Sequence, residues 1–230
     1  MAADARGRLI TSAIALIRRR GVAGTAVSDL LEHSGTARQS IYKHFPDGKS
    51  ELIEESVRVA GTMIEQMIEQ MTETLAPTEM LRALVDYWKW VLTDSDFQAG
   101  CPIAAAAYAG TDAPGARDVA SRTFHRWEDR LAENAIAQGI AADRAHTLAT
   151  TVIASIEGAI MMSVADRSCV PLDRTHDQLH DLLDMYLGAG STPAQPALRR
   201  MAMGSGDLSG GAPSVHPTPS PSPAPGRKQS

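Results

Sequence analysis

The sequence predicts an all-α protein of about nine helices, on three observations. Apolar residues recur at i, i+3 and i+4 in one segment after another, the spacing of a helix face that turns inward. No segment alternates apolar and polar side chains in the manner of a half-buried strand. Aromatic residues, which favour pleated surfaces, make up only 4% of the chain.

Residues 4–20 carry Leu9, Ile10, Ala13, Ile14, Leu16 and Ile17 as a broad apolar stripe. Arg18, Arg19 and Arg20 end that helix before Gly21, where cations complement the helix dipole or reach a phosphate. A short helix follows at about 27–33 with Val27, Leu30 and Leu31 inward, and Thr25 stands where it caps this helix or donates to a phosphate. Ser34-Gly35-Thr36 then breaks the pattern: Gly35 tolerates a positive φ, and Thr36 is placed to cap the next helix. That third helix, at about 37–44, turns Ile41 inward with Phe45 one turn on, and carries Arg38, Gln39, Ser40, Lys43 and His44 on its other face.

A long helix begins near Gly48 and runs to about Leu75, with Val57, Met63, Ile64, Met67, Ile68 and Met71 as its buried side. Pro77 opens a fifth, with Leu81, Leu84, Val85, Trp88 and Val91 at helical spacing. Gly100-Cys101-Pro102 marks a break before the Ala-rich segment 103–109, and 111–115 reads as a loop. Residues 116–138 are an amphipathic helix containing Phe124, Trp127, Leu131 and Ile136, stopped by Gly139. Two more are predicted, at about 142–166 and at about 173–188, the latter capped by Asp173 and ended by Gly188. Residues 191–230 hold eight of the thirteen prolines and the run 217–225 of alternating proline, a composition that predicts a disordered tail.

The chain is long enough, at 230 residues, for one or two domains with a sizeable core. It has no unbroken run of about 18 apolar residues and no hydrophobic signal core at its start, so the expectation is a cytoplasmic protein without a membrane span. Its two cysteines, Cys101 and Cys169, have no CxxC partner, which leaves no disulfide framework and no metal site to expect. The net charge of −5 divides unevenly: residues 1–50 carry eight Lys/Arg against four Asp/Glu, +4, and the remainder −9. A basic head on an acidic body directs one surface toward phosphate and repels the rest from it.

Residues 21–53 thus read as two short helices joined by a glycine turn, the second presenting cationic and amide side chains, a shape that fits a major groove. This stretch resembles the DNA-binding domain of the tetracycline-repressor (TetR) family: Gly35, Ile41, Tyr42, His44 and Phe45 meet its run from turn glycine to Tyr-x-x-Phe, with Lys49 and Leu52 following. The stretches Gly100-Cys101-Pro102-Ile103-Ala104 and Ile156-Glu157-Gly158-Ala159 resemble the C-terminal domain of its LmrA/YxaF-like subgroup, which includes repressors of multidrug-efflux genes and flavonoid-responsive regulators.

The resemblance implies a helix-turn-helix domain at 1–50, an effector-binding and dimerisation domain at 51–190, and the tail at 191–230. It implies that Thr36, Ala37, Arg38, Gln39 and Ser40 lie nearest the bases, Arg38 reading guanine and Gln39 adenine. Tyr42, Lys43, His44, Lys49, Thr25 and Ser28 are implied phosphate contacts. It further implies a homodimer through the last two helices, and a chamber for a small apolar or aromatic effector. Met63, Met67, Met71, Trp88, Phe97, Tyr108, Phe124, Trp127 and Met161 are the candidate walls, since thioethers and rings suit an adaptable apolar pocket. Cys101 is read as a buried small hydrophobe, with a redox sensor as the alternative. No catalytic, cofactor or metal signature stands in the chain, so an enzyme is not expected. The expected function is a ligand-released repressor; an activator or co-repressor-dependent regulator, or an all-α small-molecule binding protein, are the other readings.

Overall fold

In the computed structural model, described for residues 4–111 and 113–189, the chain forms nine helices and no strand among the described residues. They are α1 (Ala5–Arg20), α2 (Val27–Ser34), α3 (Arg38–His44), α4 (Lys49–Thr74), α5 (Pro77–Asp94), α6 (Pro102–Ala107), α7 (Pro114–Ala137), α8 (Ala142–Asp166) and α9 (Val170–Ala189). The predicted tail at 191–230 lies outside the described residues.

The head is closed by side chains that sequence spacing points inward. Leu9, Ala13 and Ile17 of α1, Leu30 of α2, Ile41 of α3 and the following Phe45 are all buried at 1% exposure or less. Asp4 caps α1, accepting from the Gly7 backbone N–H at 2.7 Å. Gly35 takes the left-handed conformation (φ 61°), and the Thr36 N–H reaches back to the Leu31 carbonyl, the closure by which a helix end satisfies its last acceptors.

Two capping expectations are corrected. Thr36 does not cap α3; Ala37 occupies that position, and the Thr36 hydroxyl instead meets Ser34 Oγ at 2.8 Å. Thr25 does not cap α2 either: it is fully buried, and its hydroxyl donates to the Gly21 carbonyl at 2.8 Å, tying down the turn after α1.

Helix α4 runs from the head into the body and packs most extensively on α7. The Thr123 side chain of α7 lies against the α4 backbone at Gly61, where a Cβ would stand 2.9 Å from both its Cγ2 and its Oγ1. Met63 is no part of the buried side of α4: it is 62% exposed, while Met67 and Met71 are half-buried against the core. Two starts also differ from the expected ones, both for proline. Pro114 sits at the first position of α7, and Pro171 follows the first residue of α9, where the missing N–H costs no helix bond. Asp173 is therefore inside α9 and not its cap. It pairs with Lys89 of α5 at 2.7 Å, while the Val170 N–H donates to Ser168 Oγ at 3.2 Å.

One apolar core runs through head and body alike, from Leu9 to Leu183. Helix α8 is long and apolar enough by length and composition to cross a membrane, which an unbroken-run criterion misses because threonines and Glu157 interrupt it. It packs here on α7 and α9.

Candidate nucleic-acid interface

Helix α3 is short, and its seven residues divide cleanly. Ile41 and the following Phe45 are buried, which fixes the helix against α1 and α2 and turns Arg38, Gln39, Tyr42 and Lys43 to solvent. Ser40 and His44 are half-buried at the edges, Thr36 is half-buried before the helix, and Ala37 is exposed at its cap. Tyr42 is 54% exposed, its ring laid against the turn into α4: a Cβ on Gly48 (φ 70°) would stand 3.3 Å from Tyr42 Cε1. Lys49, the first residue of α4, is half-buried just beyond. Ser28 is exposed in the first turn of α2.

Pairing separates two sets of polar side chains in the head. Arg6 binds Glu55 at 2.7 Å with its guanidinium 5.5 Å from the centre of the Phe45 ring; Arg20 binds Asp29 at 2.7 Å; Arg18 Nε donates to the Gly100 carbonyl at 3.0 Å. Among the described residues, Arg38, Gln39 and Lys43 make no side-chain hydrogen bond or ion pair. The first set holds the fold, and the second leaves donors, fixed by a rigid helix, facing solvent. Such a set suits hydrogen bonding to base edges and phosphates.

The body holds no single chamber walled by the nine candidate residues. Trp88 and Trp127 line a void of about 20 Å³ with Ile64, Leu84, Leu131 and Ile156, room for roughly one water. Tyr108 (79% exposed) and Met161 (61%) line a different cavity, of about 260 Å³, between α1, α6 and α8. Met63 is exposed; Met67, Met71, Phe97 and Phe124 pack half-buried on the core, Phe124 edge-on to Trp127 at 5.4 Å between ring centres. The thioethers and rings are mostly packing.

Two features of the body escaped the sequence reading. Arg18 and Gly100 exchange hydrogen bonds, Arg18 Nε to the Gly100 carbonyl and the Gly100 N–H to the Arg18 carbonyl, each at 3.0 Å, so the end of α1 is clasped to the loop before α6. Glu157 of α8 faces Cys101, whose thiol donates to its carboxylate; burial raises the Glu157 carboxyl to about 7. Burial, and then the Glu157 carboxylate, hold the Cys101 thiol well above its ordinary range. A thiol so protonated is a poor nucleophile, which supports the small-hydrophobe reading of Cys101 over the redox sensor. The signal for both features was an acid in an apolar run and a glycine before a proline-led helix.

Comparison with known proteins agrees with this geometry. Residues 9–56 match the profile "Bacterial regulatory proteins, tetR family", and residues 77–178 match "Transcriptional regulator LmrA/YxaF-like, C-terminal domain". An uncharacterized HTH-type transcriptional regulator of Mycobacterium tuberculosis is 41% identical over 184 residues, covering 77% of this chain and 93% of that protein. The HTH-type transcriptional regulator LmrA of Bacillus subtilis is 27% identical over 182 residues, covering 78% and 97%. Among solved structures, the regulatory protein TetR from Rhodobacter sphaeroides superposes with a TM-score of 0.71 at 20% identity, over 78% of this chain and 98% of that one. A TetR transcriptional regulator from Legionella pneumophila gives 0.72 at 18%, over 79% and 99%. At these identities the two structures share the fold.

Proposed function

Because the chain belongs to the TetR family of helix-turn-helix transcriptional regulators, with a C-terminal domain of the LmrA/YxaF-like type, we infer that it is a dimeric repressor released from a palindromic operator by a small effector. The family and the relatives are regulators of transcription, not enzymes. The observation that carries the reading is the outward set on α3, where, among the described residues, Arg38, Gln39 and Lys43 make no side-chain hydrogen bond or ion pair and stand with the exposed Tyr42 opposite a buried Ile41.

Residues 1–50 are the reading head. The Arg38 fork matches the O6 and N7 acceptors of guanine, and the Gln39 amide matches adenine. Thr36, Ala37 and Ser40 border the same bases, while Ser28, Tyr42, Lys43, His44 and Lys49 hold phosphates and set the register. Thr25 acts from beneath, by fixing the turn after α1.

Residues 51–190 bind the effector and join two copies through α8 and α9. Support for that seam comes from large apolar side chains left exposed there: Met161, Met162, Val170 and Met185. A single recognition helix reads too few base pairs for useful specificity, so a pair of heads is required. The chromosome lies in the cytoplasm of a bacterium, and the protein acts there.

Selection of bound duplexes from random DNA with the full-length protein tests this reading. The expected product is a palindrome with half-sites one helical turn, or a multiple of it, apart, bound with an affinity that falls steeply with salt. Recovery of unenriched sequences with no salt slope overturns it.

A further inference from the structure

The 260 Å³ cavity sits where the head meets the body. Its walls are Ile17 and Arg18 of α1, Cys101 just before α6, Ala105 of α6, and Glu157 and Ile160 of α8. Glu157 also lines the small void under Trp88 and Trp127, so its side chain stands between the two spaces. Among the described residues no Lys, Arg or His pairs with this carboxylate; its one close polar neighbour is the Cys101 thiol. The Trp127 indole N–H, on the same void, is buried with no acceptor.

Arg18 and Arg19 border the cavity, but Arg18 is turned to the Gly100 carbonyl and Arg19 is exposed. A carboxyl held among aliphatic side chains without a counter-ion is costly to ionise, and a cation brought beside it removes that cost. An anion is repelled there, and a neutral apolar molecule gains only its burial.

We propose that this junction cavity binds a small aromatic ammonium ion, with the Glu157 carboxylate as its counter-ion and the apolar walls of α1, α6 and α8 around its ring. The volume admits a one- or two-ring compound. The proposal rests on the ligand-responsive reading above and adds the charge of the effector and its seat. A bound amine touches Ile17 and Arg18 beside the Arg18–Gly100 clasp, so occupancy acts directly on the joint between α1 and the body.

Three probes of nearly one shape separate the outcomes on the full-length protein at pH 8: 2-(1-naphthyl)ethylamine, 2-(1-naphthyl)ethanol and 1-naphthaleneacetate, titrated by calorimetry. The amine binds at least about tenfold tighter than the alcohol, and the acid binds least. Glu157→Gln removes the preference, bringing the amine to the affinity of the alcohol. Ala105→Trp, which fills the cavity, abolishes binding of both.

Should Glu157→Gln fail to fold, the pH profile of the unaltered protein decides. Between pH 6 and 8 the amine gains roughly tenfold as Glu157 ionises, while the alcohol stays flat. The other ionisable groups around the cavity are Arg18 and Arg19 of α1, Tyr87 of α5, and Cys101 and Tyr108 at the two ends of α6. Arginine keeps its charge throughout, and burial raises Tyr87 and Cys101; α4 and α7 contribute Ile64, Ile68, Trp127 and Leu131 beside Glu157, none of them ionisable. Equal affinity for amine and alcohol, a preference that survives Glu157→Gln, or a flat amine profile overturns the proposal. Salt-dependent DNA binding of the same preparation tells the two failures apart: with it intact, only the amine site falls; with it absent, the regulator reading falls too.

Discussion

Arg38 and Lys43 stand on the same short helix and are predicted to contribute in different ways. A guanidinium fork makes two parallel bonds to one base edge, so Arg38→Ala is expected to weaken the selected operator by about 1–3 kcal/mol and to relax preference at one base pair. A lysine is a point charge, and Lys43→Ala is expected to weaken operator and random DNA alike while lowering the salt slope by about one. Mobility-shift titrations on both DNAs at several salt concentrations measure the split; equal losses for Arg38→Ala on both would assign that residue to phosphate.

A third residue predicts a pH effect. The Glu157 carboxyl is raised from 4.5 to about 7, so between those values the unfolded chain gives up its proton first and stability falls as pH rises. The cost is absent below the lower value and complete above the upper one, on the order of 2–3 kcal/mol. Relative to the unaltered protein, Glu157→Gln is expected to gain that much between pH 5 and pH 8 in urea midpoints; parallel pH profiles would contradict it. The placements of these residues were not equally legible beforehand. The outward placement of Arg38 was, since it lies opposite the buried Ile41 on a short helix. The hydroxyls of Thr25 and Thr36 were not, because capping depends on where a helix starts to within one residue. Glu157 stood out in the apolar run of α8, but periodicity does not say what it faces, and the contact with Cys101 comes from the packing of α6 on the body.

Helices α1 and α2 were readable, with their apolar stripes, because glycine stops end them at Gly21 and Gly35. The starts of α7 and α9 were not, because proline breaks a helix interior but suits its first turn, and only the chain's path tells which is meant. The methionine stripe misled for a different reason. Burial of α4 follows its contact with α7, and this contact swings away from Met63.

That contact supplies an element-scale prediction. Gly61→Ala gains up to about 1 kcal/mol of helix propensity. It also drives a Cβ to within 2.9 Å of the Thr123 side chain, an overpacking worth about 1–3 kcal/mol, so the net is destabilising. Thr123→Ala, which by itself leaves a gap and a loss, is expected to stabilise the Gly61→Ala background. A double-mutant cycle in urea reads this reversal of sign; additive losses would mean that α4 and α7 move apart freely at this point.

At the scale of the whole molecule, head and body share one core, and the clasp at Gly100 and the Arg6–Glu55 pair tie them further. The loop leading to that clasp is held in an unfavourable backbone: Asp96 (φ 52°) and Phe97 (φ 58°) both lie in the left-handed region, and Asp96 is pinned by Arg167 at 2.7 Å. A tight joint of this kind transmits a shift of the body to the head, but in the proposed dimer it leaves the spacing of two heads to the seam between copies.

On the proposed reading the seam between copies sets operator affinity, and the exposed Met162 of α8 and Met185 of α9 are where to break it. Each is solvent-facing within one protomer, so Met162→Glu with Met185→Glu leaves the core untouched, and surface changes of this kind cost a monomer little stability. Sedimentation velocity is expected to show a monomer with unaltered helicity. Binding to the full palindrome then drops by at least about a hundredfold, because the second head no longer arrives at the effective concentration its tether provides. Affinity for an isolated half-site stays where it was. A double variant that still sediments as a dimer, or that loses half-site affinity in step with the palindrome, places the seam elsewhere than α8 and α9.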